Sequence, residues 1–249
     1  MTYLIKIVSV SYANAIPFVF GIRHSGFLEN YFLEIATPAE CAKKFFSNQV
    51  DIALLPIGAF LPQNNYKIIS DLCIGADGKV GSVALLGYKK ISEAKTILLD
   101  LDSKTSVLLV KILAKYFWKI NPVWVENVNV QSLINKNEHL LAIGDKVFEL
   151  RKYYPLVIDL ADEWKNFSGF SFTFAVWVAN KNIPEEIINN FNKSLQWGCE
   201  NKIKAVTSDN RYLNYGIDLI DYINNNISYE LDENKKKGMN LFFQMVRNV

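Results

Sequence analysis

The first residues whose types and spacing suggest chemistry are short polar side chains between an apolar segment and a proline. Ser11 and Asn14 follow residues 3–10, which are rich in β-branched side chains, as is typical of a buried strand. Pro17 comes next and is tolerated in the first turn of a helix. A helix start offers unpaired N–H groups and a positive dipole end, so this junction is suited to bind an anion or a hydroxyl group. The alternative is that Asn14 only caps the helix.

A second polar cluster begins another predicted helix. Ser103, Thr105 and Ser106 follow a predicted strand at residues 96–101 and add three hydroxyl groups to the N–H groups of a helix start. Such a turn can hold a carboxylate without a strong cation. Lys104 either adds a positive charge to this turn or points to solvent. An ordinary N-cap is the structural alternative, and it is compatible with binding.

Three further polar residues are associated with predicted strands. Ser82 lies at a loop–strand junction, where it either faces a cleft or caps a turn. Asp145 follows the predicted strand 140–144 and either caps the next helix or contacts a ligand. Because a carboxylate repels an anion, we favour the structural role for Asp145. Thr173 lies on a predicted strand over residues 170–179, from which it can line a cleft.

The histidines and cysteines argue against two common kinds of site. His24 and His139 are the only histidines and lie in different segments, which leaves little from which to build a zinc site or a Ser-His-Asp relay. The three cysteines have no metal-binding or redox spacing, and we interpret them as buried free thiols: Cys41, Cys73 and Cys199. We therefore predict no metal site.

Charge and composition limit the partners. The 249 residues carry 27 basic and 25 acidic side chains and a formal charge of +2. No basic patch stands out, which argues against a nucleic-acid partner. The cationic run at residues 235–237 is interpreted as a solvated helix face. No window reaches the roughly 18 apolar residues of a membrane span, and residues 3–10 lack the pattern of a signal peptide. We therefore expect a cytoplasmic protein without membrane insertion.

Predicted strands and helices alternate in two successive runs. The first covers residues 3–87, and the second begins at residue 96 and includes a short helix over residues 130–135. The strand 170–179 then leads back to the first run, and amphipathic helices follow. We expect an α/β protein of two lobes, residues 1–88 with 178–249 and residues 89–177, joined by two crossing strands with a cleft between them. Ligands of such sheets bind at the carboxyl ends of strands, so Asn14, Ser82 and the turn 103–106 are predicted to share this cleft.

Six short segments occur in a characteristic order over roughly residues 5 to 180: Val10–Phe18, Gly78–Val83, Leu101–Val107, Ala142–Asp145, Asp159–Trp164 and Ser168–Trp177. Together they resemble the chorismate dehydratase family of the futalosine route to menaquinone. The resemblance implies a two-lobed fold like that of type 2 periplasmic binding proteins. It also implies loss of water from chorismate to give 3-[(1-carboxyvinyl)oxy]benzoate, without a metal or an organic cofactor. Ser171 stands where the family usually has proline, and Ala13 where a larger aliphatic residue is common.

This elimination sets requirements that the polar residues can meet. Chorismate carries two carboxylates and an allylic hydroxyl, so the protein must position a dianion and stabilise developing negative charge. We assign catalytic roles to Asn14 and Ser82, and substrate binding to the other polar residues of the predicted cleft: Ser11, Ser103, Lys104, Thr105, Ser106, Asp145 and Thr173. The segments hold no histidine or glutamate placed to act as a general base. We therefore expect a substrate carboxylate to take the proton, with Asp145 or a water as alternatives.

Other functions are compatible with the same fold, because a fold does not decide function. A solute-binding protein would hold a small carboxylate without chemistry, although such a receptor normally carries a signal segment. A dihydroxynaphthoate-forming lyase of the same pathway is expected to have a histidine in its site, and neither His24 nor His139 lies in the quoted segments. Product formation from chorismate separates these alternatives.

Overall fold

The computed structural model describes residues 4–59, 66–126, 138–179, 183–209 and 216–249. Its strands within these ranges are β1 (Ile5–Val10), β2 (Tyr31–Ala36), β3 (Ile52–Pro56), β4 (Lys67–Ala76), β5 (Val83–Gly87), β6 (Thr96–Leu98), β7 (Val123–Val125), β8 (His139–Ile143), β9 (Leu156–Asp159), β10 (Phe172–Ala179) and β11 (Ser228–Glu230). Its α-helices are α1 (Ile16–His24), α2 (Pro38–Phe46), α3 (Lys104–Leu113), α4 (Lys146–Leu150), α5 (Leu160–Ser168), α6 (Glu185–Glu200), α7 (Lys202–Thr207), α8 (Leu219–Asp221) and α9 (Glu233–Val246). The predicted helix over residues 130–135 lies outside the described residues. None of the described helices has the length and apolar composition that a membrane span requires.

The larger sheet has six strands in the order β11-β4-β10-β3-β1-β2. β1 is parallel to β2 and β3, whereas β10 is antiparallel to β3 and β4. β1, β3 and β10 are almost completely buried, which accounts for their near-continuous apolar sequences. Because β1 and β3 run in the same direction, their carboxyl ends stand at the same edge of the sheet.

The smaller sheet has five strands in the order β7-β6-β8-β5-β9. β6 is parallel to β7 and β8, and β5 is antiparallel to β8 and β9. The chain passes between the sheets at residues 77–82 and again at residues 169–171. The predicted two-lobed α/β fold with two crossings is therefore confirmed.

The sheets divide the chain one strand away from the predicted lobe boundaries. A boundary after residue 88 places β5 in the first lobe, but β5 pairs with β8 and β9 in the smaller sheet. A boundary after residue 177 places most of β10 in the second lobe, but β10 pairs with β3 and β4 in the larger sheet. The sequence does not reveal this, because a strand covered on both faces reads as an apolar run whichever sheet it joins.

The cationic run at residues 235–237 is not a uniformly solvated face, contrary to the sequence interpretation. Lys235 is 1% exposed, and its Nζ donates to Asp232 Oδ2 at 2.9 Å. Its aliphatic stem lies against Gly75, where an added Cβ would approach it to 2.9 Å. The helical period places Lys235 on the same face of α9 as the buried Met239 and Phe242. The burial of this lysine therefore follows from its position in the helix.

Helices α1 and α6 cross at very short range. They meet at Gly21 and Gly198, where a Cβ on either residue would lie 2.0 Å from a backbone oxygen of the other helix. Glycine at both positions lets the two backbones approach. Helix α1 follows the polar residues Ser11 and Asn14, which come after β1. The crossing therefore holds α6 against the helix that begins at this predicted site.

Candidate active site

A narrow cavity lies between the two sheets at the predicted cleft. It is small, with a volume of about 40 Å³, below the roughly 300–1,000 Å³ of typical small-molecule sites. Its apolar lining comes from both sheets and includes Val10, Ile74, Val83, Ile143 and Phe174. Its polar lining consists of five side chains: Tyr12, Asn14, Ser82, Ser103 and Ser106. None of the described residues that line the cavity is charged, so a ligand meets hydroxyl, amide and backbone groups.

Asn14 lies in a single 3-10 turn, Ala13–Ala15, between β1 and α1. It does not cap α1, because Ala15 occupies the N-cap position and no side-chain cap forms within the described residues. The capping alternative is therefore wrong. The Oδ1 atom of Asn14 is buried and has no hydrogen-bond partner in the described part of the chain. Its backbone oxygen accepts a hydrogen bond from Tyr229 Oη at 2.8 Å, so the turn is held while one acceptor atom remains for a ligand.

Ser82 stands at the end of the first crossing, directly before β5. It is 1% exposed, and its Oγ lies 2.8 Å from Tyr222 Oη instead of capping a turn. Asp159 holds the crossing, because its carboxylate accepts from the N–H groups of Val80 at 3.2 Å and Gly81 at 2.6 Å. Burial raises the pKa of Asp159, and these backbone hydrogen bonds oppose the rise. Asp159 thus fixes the backbone just before Ser82, and the buried phenol of Tyr222 contacts the Ser82 hydroxyl itself.

The start of α3 combines a helix cap with two cavity-lining hydroxyls. Ser103 is the N-cap, and its Oγ accepts from Ser106 N at 3.4 Å and from Ser106 Oγ at 3.3 Å. Both residues are buried and both line the cavity. Capping and ligand binding are therefore compatible here, since a helix start that is already capped still presents N–H groups to an anion.

Tyr12 adds a buried phenol that the sequence interpretation did not assign to the site. Its ring lies on Gly144, where an added Cβ would come within 2.5 Å of the ring. The Tyr12 hydroxyl is buried and lacks a hydrogen-bond partner among the described residues. Burial raises the pKa of Tyr12 far above its usual value, and Asp102, Asp100 and Asp145 raise it further. The phenol therefore stays uncharged at neutral pH.

Asp145 links the two lobes and does not cap α4, contrary to one sequence expectation. It occupies the N-cap position, but its side chain makes no capping bond to the described backbone. Its Oδ1 instead accepts a hydrogen bond from Ala13 N at 3.1 Å, across 132 residues of sequence. Asp145 is also absent from the described cavity lining. The carboxylate therefore holds the turn that carries Asn14, which agrees with the structural role favoured from the sequence.

Thr105 also joins the two lobes, and it is absent from the described lining of the cavity. Its Oγ1 accepts from Gly58 N at 2.9 Å and donates to Phe174 O at 3.4 Å. The elements approach closely, because a Cβ on Gly58 would lie 2.6 Å from the backbone of Thr105. The position of Thr105 thus does not support the substrate-binding role predicted for it.

Thr105→Val is expected to lower the free energy of unfolding by about 1–3 kcal/mol, because it leaves the buried N–H of Gly58 without its acceptor. Urea unfolding of the wild type and the variant measures the loss. Thr105→Ser retains the hydroxyl and is the matched control, so its stability should lie closer to that of the wild type. Equal losses in both variants would show that the hydroxyl does not join the lobes.

Three other predicted binding residues are absent from the described cavity lining. Lys104 is exposed, so the solvent-facing alternative is correct. Thr173 is buried in β10, and its hydroxyl has no partner within the described ranges. Ser11 is half-buried, and its N–H donates to Ala36 O at 2.8 Å, which extends the pairing of β1 with β2. Their positions do not support direct contact with a ligand.

The charged residues before α3 and at the start of α4 pair with one another. Lys146 Nζ lies 2.7 Å from Asp100 Oδ2 and 2.7 Å from Asp102 Oδ2. Burial raises the pKa of Asp100, and the hydrogen bond from Lys146 opposes the rise. Burial lowers the pKa of Lys146, but its hydrogen bonds to both carboxylates outweigh this effect and the net pKa is raised. The positive charge of Lys146 is therefore paired with two carboxylates, and none of these three residues belongs to the described cavity lining.

Four residues that shape the site were not assigned a role in it from the sequence. Tyr12, Gly144 and Asp159 fall inside the segments that carry the family resemblance, so that signal was available for them. Tyr222 begins a π-helical segment, Tyr222–Asn226, close to the end of the chain. No spacing or motif relates Tyr222 to Ser82, which lies 140 residues earlier.

Comparison with solved structures identifies the class of fold. The chain is similar to protein AF1704 from Archaeoglobus fulgidus, with a TM-score of 0.78, 15% identity and coverage of 99% of this chain and 97% of that one. It is also similar to the CA3427 gene product of Candida albicans, described as having the generic periplasmic binding protein fold, with a TM-score of 0.68, 13% identity and coverage of 99% and 91%. A third similar structure is the periplasmic aliphatic sulphonate-binding protein SsuA from Escherichia coli. Its TM-score is 0.60 and its identity 10%, with coverage of 99% of this chain and 86% of that one. The protein thus has a periplasmic-binding-protein-like fold, as predicted.

The sequence matches the menaquinone biosynthesis family over residues 5–248, and the chain belongs to this family. Among curated proteins it is similar to the chorismate dehydratase of Thermus thermophilus. The two are 23% identical over 93% of this chain and 91% of the relative. These matches confirm the resemblance predicted from the six segments and extend it through the C-terminal helices.

Proposed function

We propose that this protein is a chorismate dehydratase, a carbon–oxygen lyase that converts chorismate to 3-[(1-carboxyvinyl)oxy]benzoate and water. Membership of the menaquinone biosynthesis family and similarity to a chorismate dehydratase support the proposal. The observation that carries it is that an acceptor without a partner among the described residues, Asn14 Oδ1, shares one cavity with the buried hydroxyl of Ser82. An elimination that forms an aromatic ring needs oriented hydrogen bonds to its developing charges more than a strong acid.

The cavity offers a hydrogen-bond donor, Ser82, and an acceptor, Asn14 Oδ1. These suit the two substrate groups at which the elimination acts, the ring carboxylate and the leaving hydroxyl group. One ring C–H bond breaks and its electrons form a ring double bond, while the C–O bond to the allylic hydroxyl breaks. The proton and the hydroxide leave together as water. Negative charge develops on the ring carboxylate, to which the Ser82 hydroxyl and the first turn of α3 can donate. Asn14 Oδ1 can accept from the departing hydroxyl group and hold its orientation.

A substrate carboxylate is the proton carrier that this lining supports best. The described lining residues include no carboxylate, histidine or lysine, and Asp145 is bonded to Ala13 N instead. Chorismate brings two carboxylates of its own into the cavity. A carboxylate held beside the ring can take the proton and return it to the leaving hydroxide, because proximity replaces a bimolecular encounter.

The competing functions make different use of the same cavity. A binding protein would hold a carboxylate and release it unchanged, and an uncharged lining is compatible with that. A dihydroxynaphthoate-forming lyase is expected to place a histidine in its site. His139 Nε2 instead lies 3.0 Å from Lys89 O, and neither His139 nor His24 belongs to the described lining. Neither alternative is favoured by a specific observation.

Incubation of the purified protein with chorismate tests the proposal. We expect loss of chorismate and formation of an aromatic product that is lighter by one water, followed by absorbance and mass spectrometry. Heat-inactivated protein controls for spontaneous breakdown of the substrate. Calorimetric binding of chorismate without product would indicate a binding protein, and the absence of both binding and product would reject the substrate.

Turnover is expected to stay nearly constant from about pH 6 to 9, because carboxylates titrate near 4 and lysines near 10. Burial raises the pKa of Tyr12 and of Tyr222 above the usual tyrosine value, so both phenols keep their protons over this range. Single-turnover rates across this range measure the chemical step without interference from product release.

Asp145→Asn distinguishes the substrate base from an enzyme base. Asparagine still offers an acceptor to Ala13 N, so this variant is expected to retain substantial activity and a flat pH profile. Asp145→Ala removes the acceptor and controls for its structural role. The opposite result would be a wild-type rate that falls at acid pH and an Asp145→Asn variant that loses both this pH dependence and most of the activity. That result would identify Asp145 as the base.

A further inference from the structure

Tyr222 approaches the site from outside the described cavity lining. It is 4% exposed and begins the π-helical segment that follows α8. Its ring packs edge-on against Phe148 of α4, with ring centroids 5.1 Å apart and an interplanar angle of 77°. Its Oη lies 2.8 Å from Ser82 Oγ, and this hydrogen bond is buried. A residue near the end of the chain is therefore in direct contact with a hydroxyl that lines the cavity.

The neighbouring groups define the direction of this hydrogen bond. A phenol is more acidic than a serine hydroxyl and is the better donor, so Tyr222 donates and Ser82 accepts. Burial raises the pKa of Tyr222, and its hydrogen bond with Ser82 opposes the rise. The phenol therefore keeps its proton at neutral pH and donates a hydrogen bond to Ser82, which leaves the proton of Ser82 available to the cavity.

We propose that Tyr222 is a positioning residue, which fixes Ser82 as a hydrogen-bond donor to the substrate. The inference rests on the proposed dehydration, in which Ser82 stabilises charge on the ring carboxylate. Without the phenol, the hydroxyl of Ser82 loses the contact that fixes its orientation.

A double-mutant cycle on the dehydration rate tests this role. Tyr222→Phe is expected to lower kcat roughly tenfold or more and to change KM by less than about threefold, because the phenol orients a group that acts in the transition state. In the Ser82→Ala background the same change should lower kcat by less than about twofold, since Tyr222 acts through Ser82. Equal losses in the two backgrounds would overturn the proposal.

Tyr154→Phe is the matched control for the loss of a buried phenol. Tyr154 is 5% exposed and packs in a separate apolar cluster with Leu86 and Leu140. Its substitution is expected to leave kcat unchanged. A loss like that of Tyr222→Phe would show that any buried tyrosine hydroxyl has this effect, and the positioning role would be rejected.

Urea unfolding of the four proteins of the cycle, which are the wild type, Tyr222→Phe, Ser82→Ala and the double variant, provides a readout that does not depend on activity. Phenylalanine keeps the ring contact with Phe148, and circular dichroism verifies that Tyr222→Phe folds. The free energies of unfolding are expected to be non-additive, because the hydrogen bond exists only when both hydroxyls are present. Additive losses would overturn the proposal. If the cycle shows this coupling but the wild type does not convert chorismate, the proposed function fails and the pairing of Tyr222 with Ser82 stands.

Discussion

Ser82→Ala is expected to lower the rate of chorismate dehydration about a hundredfold or more, the usual loss when one donor to a developing negative charge is removed from an active site. Asn14→Ala is expected to lower the rate to a similar degree, because it leaves the departing hydroxyl group without the acceptor that orients it. Ser82 is the buried hydroxyl that can donate to the ring carboxylate. Asn14 Oδ1 is the buried acceptor that can orient the leaving hydroxyl. Both effects should appear in single-turnover rates, because each group acts on the chemical step.

The stabilities of the two variants are expected to differ, because only one of the removed atoms has a protein partner. Asn14 Oδ1 has none among the described residues, so Asn14→Ala should change the free energy of unfolding by about 1 kcal/mol or less. Ser82→Ala removes the acceptor of the buried Tyr222 hydroxyl and should cost about 1–3 kcal/mol. Urea unfolding measures both losses.

Ser194→Ala separates a catalytic loss from a general effect of removing a buried serine. Ser194 is 0% exposed, and its Oγ donates to Asn190 O within α6, outside the described cavity lining. Ser194→Ala is expected to lower the free energy of unfolding about as much as Ser82→Ala does and to leave turnover unchanged. Near-normal turnover in Ser82→Ala or Asn14→Ala would show that the catalytic assignment of that residue is wrong.

The sequence was sufficient to predict which strand ends contribute to the cavity. Polar residues at a strand-to-helix junction can be recognised locally, and the two-lobed topology brings such junctions together. Within one junction, however, helix geometry selects the residues. Ser103 and Ser106 are three positions apart and share a face toward the cavity, whereas Lys104 and Thr105 project elsewhere. The described lining of the cavity therefore includes two of the four residues that residue type alone predicted at this junction.

Contacts between the lobes were not predictable from the sequence, because they depend on how two separate sheets face each other. The bond from Ala13 N to Asp145 Oδ1 and the bond from Gly58 N to Thr105 Oγ1 both join residues of different lobes. Locally, Asp145 and Thr105 look like ordinary residues of helix starts. The same reason applies to Tyr222, whose link with Ser82 appears only when the C-terminal segment packs against the first crossing.

Gly144→Ala is expected to reduce both stability and turnover strongly, because it affects the backbone and a cavity-lining side chain at once. Gly144 has a φ of +69°, a conformation that costs an L-residue roughly 1–2 kcal/mol. An added Cβ would also lie 2.5 Å from Cε1 and 2.6 Å from Cδ1 of Tyr12. A contact that short cannot persist, so the ring of Tyr12 or the end of β8 must move. We expect a total loss of about 3 kcal/mol in the free energy of unfolding.

Gly169→Ala is the matched control, since it carries the backbone strain without the contact. Gly169 has a φ of +76° at the end of α5, and a Cβ there would meet no described atom within 4 Å. Its substitution should cost about 1–2 kcal/mol and leave turnover unchanged. The difference between the two variants measures the contact of residue 144 with Tyr12. Displacement of that ring changes the wall beside Asn14, so turnover should fall at least tenfold in Gly144→Ala alone. If both alanine variants lost the same stability and kept the same turnover, the close approach of Tyr12 to Gly144 would have no part in shaping the cavity.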